Sequence, residues 1–138
     1  MIRSSFLVFV FSTILFNCQN VKYVYEDKGY LLTSLEQQFD FKDKTISIFF
    51  ENGFINDNSK IFIDGNLIYD KVITTDYTIG VAGFLLYDKK FENISIFINE
   101  TKIDIVQSNI KDYKNIYVNQ TKDKQQVITF SNKPHLYR

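Results

Sequence analysis

This chain predicts an all-β fold: an antiparallel β-sandwich, or a barrel-like arrangement, of about seven to eight short strands. Three observations carry the expectation. From Thr45 onward, apolar residues recur with a period of two. Turn-forming pairs such as Asn52-Gly53 and Asp64-Gly65 punctuate that alternation, with strands spaced by about 8 to 15 residues. Connections of that length suit hairpins and are too short for the crossovers that join consecutive parallel strands.

The elements follow in chain order. Residues 21–25 (VKYVY) alternate and read as a short strand. Residues 30–39 carry apolar side chains at 31, 32, 35 and 39, the spacing of one short N-terminal helix, with an extended tether as the alternative. In 45–51, Ile46, Ile48 and Phe50 form one apolar face of a strand. Asn52-Gly53 and Asn56-Asp57-Asn58-Ser59 read as turns on either side of Phe54-Ile55. Strands at 60–63 and 67–73 then join through Asp64-Gly65, the strongest hairpin signal in the chain. Pairing across that turn places Ile61, Ile63 and Ile68 on one face and Phe62, Leu67 and Tyr69 on the other. Two apolar faces predict a hairpin that is central to the fold or covered on its second side.

Thr74-Thr75-Asp76 interrupts the pattern, and an apolar run over 79–87 follows. Gly80 and Gly83 inside that run predict a bulge or a close backbone approach. Residues 93–99 and 101–106 form a hairpin turning near Asn99-Glu100, with Ile94, Ile96, Ile98, Ile103 and Ile105 on one face. A one-residue slip in either strand would expose its isoleucines, so the register is well specified. The last hairpin joins 115–119 with 126–131 through the charged loop Thr121-Lys122-Asp123-Lys124. The closing residues 130–138 are expected along a sheet edge, where Pro134 would hinder strand addition. No repeat beyond this hairpin rhythm is present.

The N-terminus has a different character. A short basic start, Met1-Ile2-Arg3, leads into an apolar run of about eleven residues over 6–16, the length of a signal-peptide core and too short to span a bilayer. The chain's only cysteine, Cys18, stands where that run gives way to polar sequence. Leu15-Phe16-Asn17-Cys18 resembles the lipobox of bacterial lipoproteins, with Leu15 fitting well and Asn17 and Phe16 departing from the usual small residues. The resemblance covers residues 1–18 alone. It implies cleavage before Cys18, a diacylglycerol on the Cys18 thiol and acylation of the new N-terminus, enough chains for stable anchoring. On this reading 1–17 is a signal peptide, 18–40 a lipid-anchored tether or short N-terminal segment, and 41–138 the β-sandwich domain. Gln19 is not the aspartate that marks inner-membrane retention in some bacteria, so the expected location is the cell envelope, at the outer membrane.

Composition narrows the functional classes. Basic and acidic residues balance at 16 each, which gives no electrostatic footprint for nucleic acid or anionic lipid. With no cysteine beyond Cys18, the mature part has neither disulfides nor a thiolate metal cage. Ile, Lys, Asn, Phe and Tyr supply about half of all residues, the mark of AT-rich codons. The N-x-S/T sequons at Asn93, Asn99 and Asn119 are therefore read as chance in an Asn-rich chain.

No phosphate loop or nucleophile elbow is present. His135, the only histidine, lies near the C-terminus and reads as an ordinary surface residue. Asp64, Asp70, Asp76, Asp88 and Asp104 read as turn formers or outer-face residues, with no pair marked as juxtaposed for glycoside hydrolysis. Asn56-Asp57-Asn58-Ser59 lacks the spacing and the bidentate glutamate of a calcium loop. Tyr77, Tyr87, Tyr113 and Tyr117, near strand ends, are the candidate ligand-binding residues. The expectation is a non-enzymatic interaction or structural module that needs no cofactor or metal. Its partners are membrane lipid through Cys18 and an envelope protein or glycan. A carbohydrate- or peptide-binding module using loop tyrosines, and an envelope inhibitor or immunity-type protein, are the alternatives.

Overall fold

The computed structural model describes residues 21–27 and 46–137. The leader, Cys18 and the helix expected over 30–39 lie outside them. Within the described residues, nine strands build two sheets. They are β1 (Val21–Tyr25), β2 (Ile46–Phe50), β3 (Asp57–Ile63), β4 (Asn66–Ile73), β5 (Gly83–Tyr87), β6 (Asn93–Ile98), β7 (Thr101–Val106), β8 (Asn115–Gln120) and β9 (Gln126–Ser131). A single turn of helix, α1 (Gln107–Ile110), follows β7. The first sheet has the order β1-β9-β8-β2-β5 and the second β4-β3-β6-β7. This is an all-β sandwich, and no closed barrel forms.

The sheets are not wholly antiparallel: β1 runs parallel to β9 and β2 parallel to β8. Short connections exclude parallel pairing only between strands adjacent in sequence. The parallel pairs join strands far apart in the chain, and the second sheet together with β5 lies between β2 and β8.

Alternation along each strand turns one apolar face inward. Ile48, Ile61, Ile94, Ile96, Ile103, Ile116 and Ile128 are fully buried between the sheets, each contributing about 1.5–3 kcal/mol relative to exposure. The β6–β7 hairpin has the expected faces, pairing Ile94 with Ile105 and Ile96 with Ile103 around the Asn99-Glu100 turn. The β8–β9 hairpin likewise pairs Asn115 with Ser131 through Gln120 with Gln126.

Three expectations are corrected. In β3–β4 the turn is as expected, with Asp64 and Gly65 both at positive φ. A bulge then leaves Ile68 unpaired, so Ile61 faces Tyr69 and not Ile68. Tyr69 points inward, Leu67 and Ile68 are exposed, and β4 is an edge strand whose outer face none of the described residues covers. Second, Asp57, Asn58 and Ser59 belong to β3, not to a turn, because Asp57 is buried and hydrogen-bonded there. Third, residues 132–137 do not follow a sheet edge. They cross the outer face of the first sheet over its inner strands β8 and β2, where His135 stacks on Tyr117 and Tyr137 packs on Phe49.

Glycine matters at two places. Gly53, at φ +92°, lies where a Cβ would overlap the carbonyl oxygen of Gln120. Gly83 makes the close approach foreseen for the 79–87 run, since a Cβ there would meet the Tyr69 hydroxyl. The pairings also sort the two ends of the sandwich. Val21, Phe50, Asp57, Ile73, Ile98, Gln120 and Gln126 share one end; Tyr25, Ile46, Ile63, Tyr87, Asn93 and Asn115 share the other.

Candidate functional site

Along the outer face of the first sheet, cross-strand pairing sets Phe84, Phe49 and Tyr117 side by side on β5, β2 and β8. The rings stack at centroid separations of 6.0 and 5.6 Å. Such an aromatic row gains from cover, and residues 132–137 supply it.

Glu51, just past β2, anchors that cover. Its side chain is buried, with the residue only 6% exposed. Oε1 accepts from Asn119 Nδ2 at 3.0 Å. Oε2 accepts from the Tyr137 hydroxyl at 2.7 Å and lies 2.6 Å from His135 Nδ1. An ionised carboxylate only accepts, so Nδ1 carries the proton in that contact. The His135 ring lies flat on Tyr117, 3.6 Å between centroids. The Tyr117 hydroxyl donates to the Lys133 carbonyl and accepts from the His135 backbone N–H. Burial works to raise the Glu51 pKa, but hydrogen bonds from His135, Tyr137 and Asn119 outweigh it and hold the carboxyl below its ordinary value. Burial, with Glu51 close by, pushes the Tyr117 and Tyr137 phenols well above the usual range.

An imidazole oriented by a carboxylate is a familiar base arrangement. Here Oε2 and one face of the Tyr117 ring fasten the tail, while Oε1 is taken by Asn119 on β8. The cluster is a polar latch joining the C-terminal residues to the inner strands β2 and β8.

A second buried carboxylate closes the Val21 end between the sheets. Asp57 accepts from Ile55 N, Asn99 Nδ2 and Gln120 Nε2 at 2.8–3.0 Å, with Lys124 Nζ 3.8 Å away. Gln120 Oε1 in turn accepts from Gln126 Nε2. Burial opposes ionisation of Asp57, yet the Asn99, Ile55 and Gln120 hydrogen bonds and the Lys124 charge hold its pKa below the ordinary value. The Tyr25 end bears an open cleft of about 920 Å³ between Asp64, Lys89–Asn93 and Gln107. The Asp64 carboxylate there is taken up by the Glu92 and Asn93 N–H groups.

The four candidate tyrosines do not come together. Tyr117 lies under His135. Tyr113 is buried with its hydroxyl on the Glu26 carbonyl. Tyr87 packs against the core and edge-on to Phe91, and only Tyr77 stands out in solvent. Sequence reasoning missed His135 and Glu51, which are 84 residues apart. Among the described residues, no group of three or more His, Cys, Asp or Glu side chains is placed to hold a metal ion. No helix among them is long and apolar enough to cross a membrane. No protein-family model, curated protein or solved structure matches this chain.

Proposed function

We propose that this chain is an exported lipoprotein of a bacterial cell envelope, anchored through Cys18 at the outer membrane and acting by binding rather than by catalysis. The observation that carries the reading is the placement of Cys18: a lone cysteine ending an apolar leader, after Leu15-Phe16-Asn17. The structured domain supports it, because β1 begins three residues later, at Val21, and lies in the sheet beside β9. An anchor at Cys18 would hold a folded module close to the lipid surface. The binding role is supported by the latch, whose carboxylate, imidazole and phenol groups are committed to one another. The partner is an envelope protein or a glycan.

Intact mass of the mature protein from its native host, beside a Cys18→Ala control, tests the reading. An N-terminus at Cys18 bearing two or three acyl chains, absent from the control, is the expected result. An unmodified chain beginning elsewhere would refute it.

A further inference from the structure

The exposed apolar side chains that lie outside strands share one end of the sandwich. Among the described residues, most large exposed ones lie on strands, on outer faces or at sheet edges. Those outside strands are four: Ile55 at 66% exposure, Tyr77 at 71%, Ile79 at 38% and Leu136 at 92%. All four lie at the Val21 end. Ile55 sits between β2 and β3, and Tyr77 and Ile79 between β4 and β5, both connections belonging to that end. Leu136 stands between His135 and Tyr137, which both reach Glu51 just past the last residue of β2. The loop tips at the Tyr25 end are polar instead: Asp64-Gly65, Asp88-Lys89-Lys90 and Lys111-Asp112.

Each of these apolar tips is also fixed in place by an acidic residue. Ile55 N–H donates to Asp57 Oδ2. Asp76 holds the 76–80 turn, its side chain accepting from Thr78 N and its carbonyl from Ile79 N and Gly80 N. Glu51 fixes both neighbours of Leu136. Apolar side chains held out in water on rigid loops are preorganised for contact, with little entropy left to lose on binding.

Chain length identifies the occupant. Two residues, Gln19 and Asn20, separate Cys18 from Val21, and the three steps of chain span at most about 11 Å, so whatever holds Cys18 lies close to this end. We infer that the Val21 end is a membrane-contact surface, in which Ile55, Tyr77, Ile79 and Leu136 dip into the interfacial region of the bilayer that carries the lipid anchor. This rests on the lipoprotein reading above. Isoleucine and leucine suit the acyl boundary and tyrosine the headgroup level. Lys122 and Lys124, on the β8–β9 loop of the same end, are offset in charge by Asp123 on that loop and Glu100 on the β6–β7 turn, so burial of apolar surface, not net charge, drives the contact. The cleft and polar loops of the Tyr25 end then face away from the membrane.

The test uses the full-length protein matured in its host and reconstituted into vesicles of phosphatidylethanolamine and phosphatidylglycerol. A polarity-sensitive fluorophore is placed singly through Ile55→Cys, Tyr77→Cys, Leu136→Cys, Gly65→Cys or Lys90→Cys, and the mass of each product is checked for acylation. The first three labels are expected to shift to the blue, lose quenching by aqueous iodide and gain quenching by brominated lipid. The last two stay open to iodide. If acylated, vesicle-bound protein shows labels at 55, 77 and 136 as open to iodide as that at 90, the orientation is overturned while the anchor stands. If Cys18 carries no acyl mass and the protein does not float with vesicles, the lipoprotein reading fails and this inference with it.

Discussion

His135→Ala is the perturbation that most directly measures the latch between the C-terminal residues and the sheet. The substitution removes the Nδ1 contact to Glu51 at 2.6 Å and the ring stack on Tyr117 at 3.6 Å. A hydrogen bond to a charged partner contributes about 1.5–3 kcal/mol. The His135 side chain is 34% exposed, and with discount for solvent screening the contact is worth about 1 kcal/mol. The stack adds about 1 kcal/mol, for a total near 2 kcal/mol. Glu51 keeps Asn119 and Tyr137, so it is not left bare. With a urea m-value of about 1.5–2 kcal/mol/M, the unfolding midpoint should fall by about 1 M at unchanged m. Leu136→Ala, one residue away and 92% exposed, should stay within about 0.5 kcal/mol of wild type. Equal midpoints for His135→Ala and Leu136→Ala would refute the latch.

Acid should loosen the Val21 end. The folded-state pKa values of Glu51 and Asp57 lie below their ordinary values of 4.5 and 3.8. Their contribution is thus complete above those ordinary values and is lost as pH falls through the lower folded-state ones. Equilibrium unfolding should show stability falling with acid below about pH 4.5, and Glu51→Gln should lower it at neutral pH while flattening that acid slope; an unchanged slope would contradict the account. Gly53→Ala meets both a positive φ and the Gln120 carbonyl, so a loss of at least about 2 kcal/mol is expected in the same unfolding assay. Ile96→Ala, fully buried between the sheets, should cost about 3–4 kcal/mol, whereas Ile55→Ala should be near neutral for stability.

The hairpins were legible because everything that decides them is local. Five isoleucines on β6 and β7 can share one buried face in only one register, and the two-residue Asn99-Glu100 turn agrees with it. The β3–β4 turn was equally plain, but its faces were not. One unpaired residue, Ile68, changes the phase of β4, and nothing in the run Leu67-Ile68-Tyr69 distinguishes the bulged residue from its neighbours. The turn chemistry of Asn56-Asp57-Asn58-Ser59 misled for a related reason. Asp57 bonds to Asn99 and Gln120, residues 42 and 63 positions away, and those distant partners override the local preference.

Glu51 and His135 show where alternation stops being informative. Counted along β2, Glu51 falls on the outer side with Phe49, and an outer position normally means water. Yet pairing aligns Phe84, Phe49 and Tyr117 across three neighbouring strands, an aromatic surface wide enough to draw the tail over it. The cue was an apolar outer row, and it cannot be assembled from sequence until the parallel β2–β8 pairing is known. The same cue misled for the β3–β4 hairpin, where Phe62 on β3 faces outward beside Phe97 on β6 and none of the described residues crosses over them. Those two rings pack edge to face on each other, and the Lys102 ammonium lies 5.9 Å from the Phe97 centroid. A lysine stem shields apolar surface while keeping its charge in water, so that row is partly covered by its own neighbours. What separates the two faces is the chemistry at their margins. Beside Phe97 stands a cation that stays in water. Beside Phe49 stands a buried carboxylate that needs donors, and residues 132–137 bring two of the three it has.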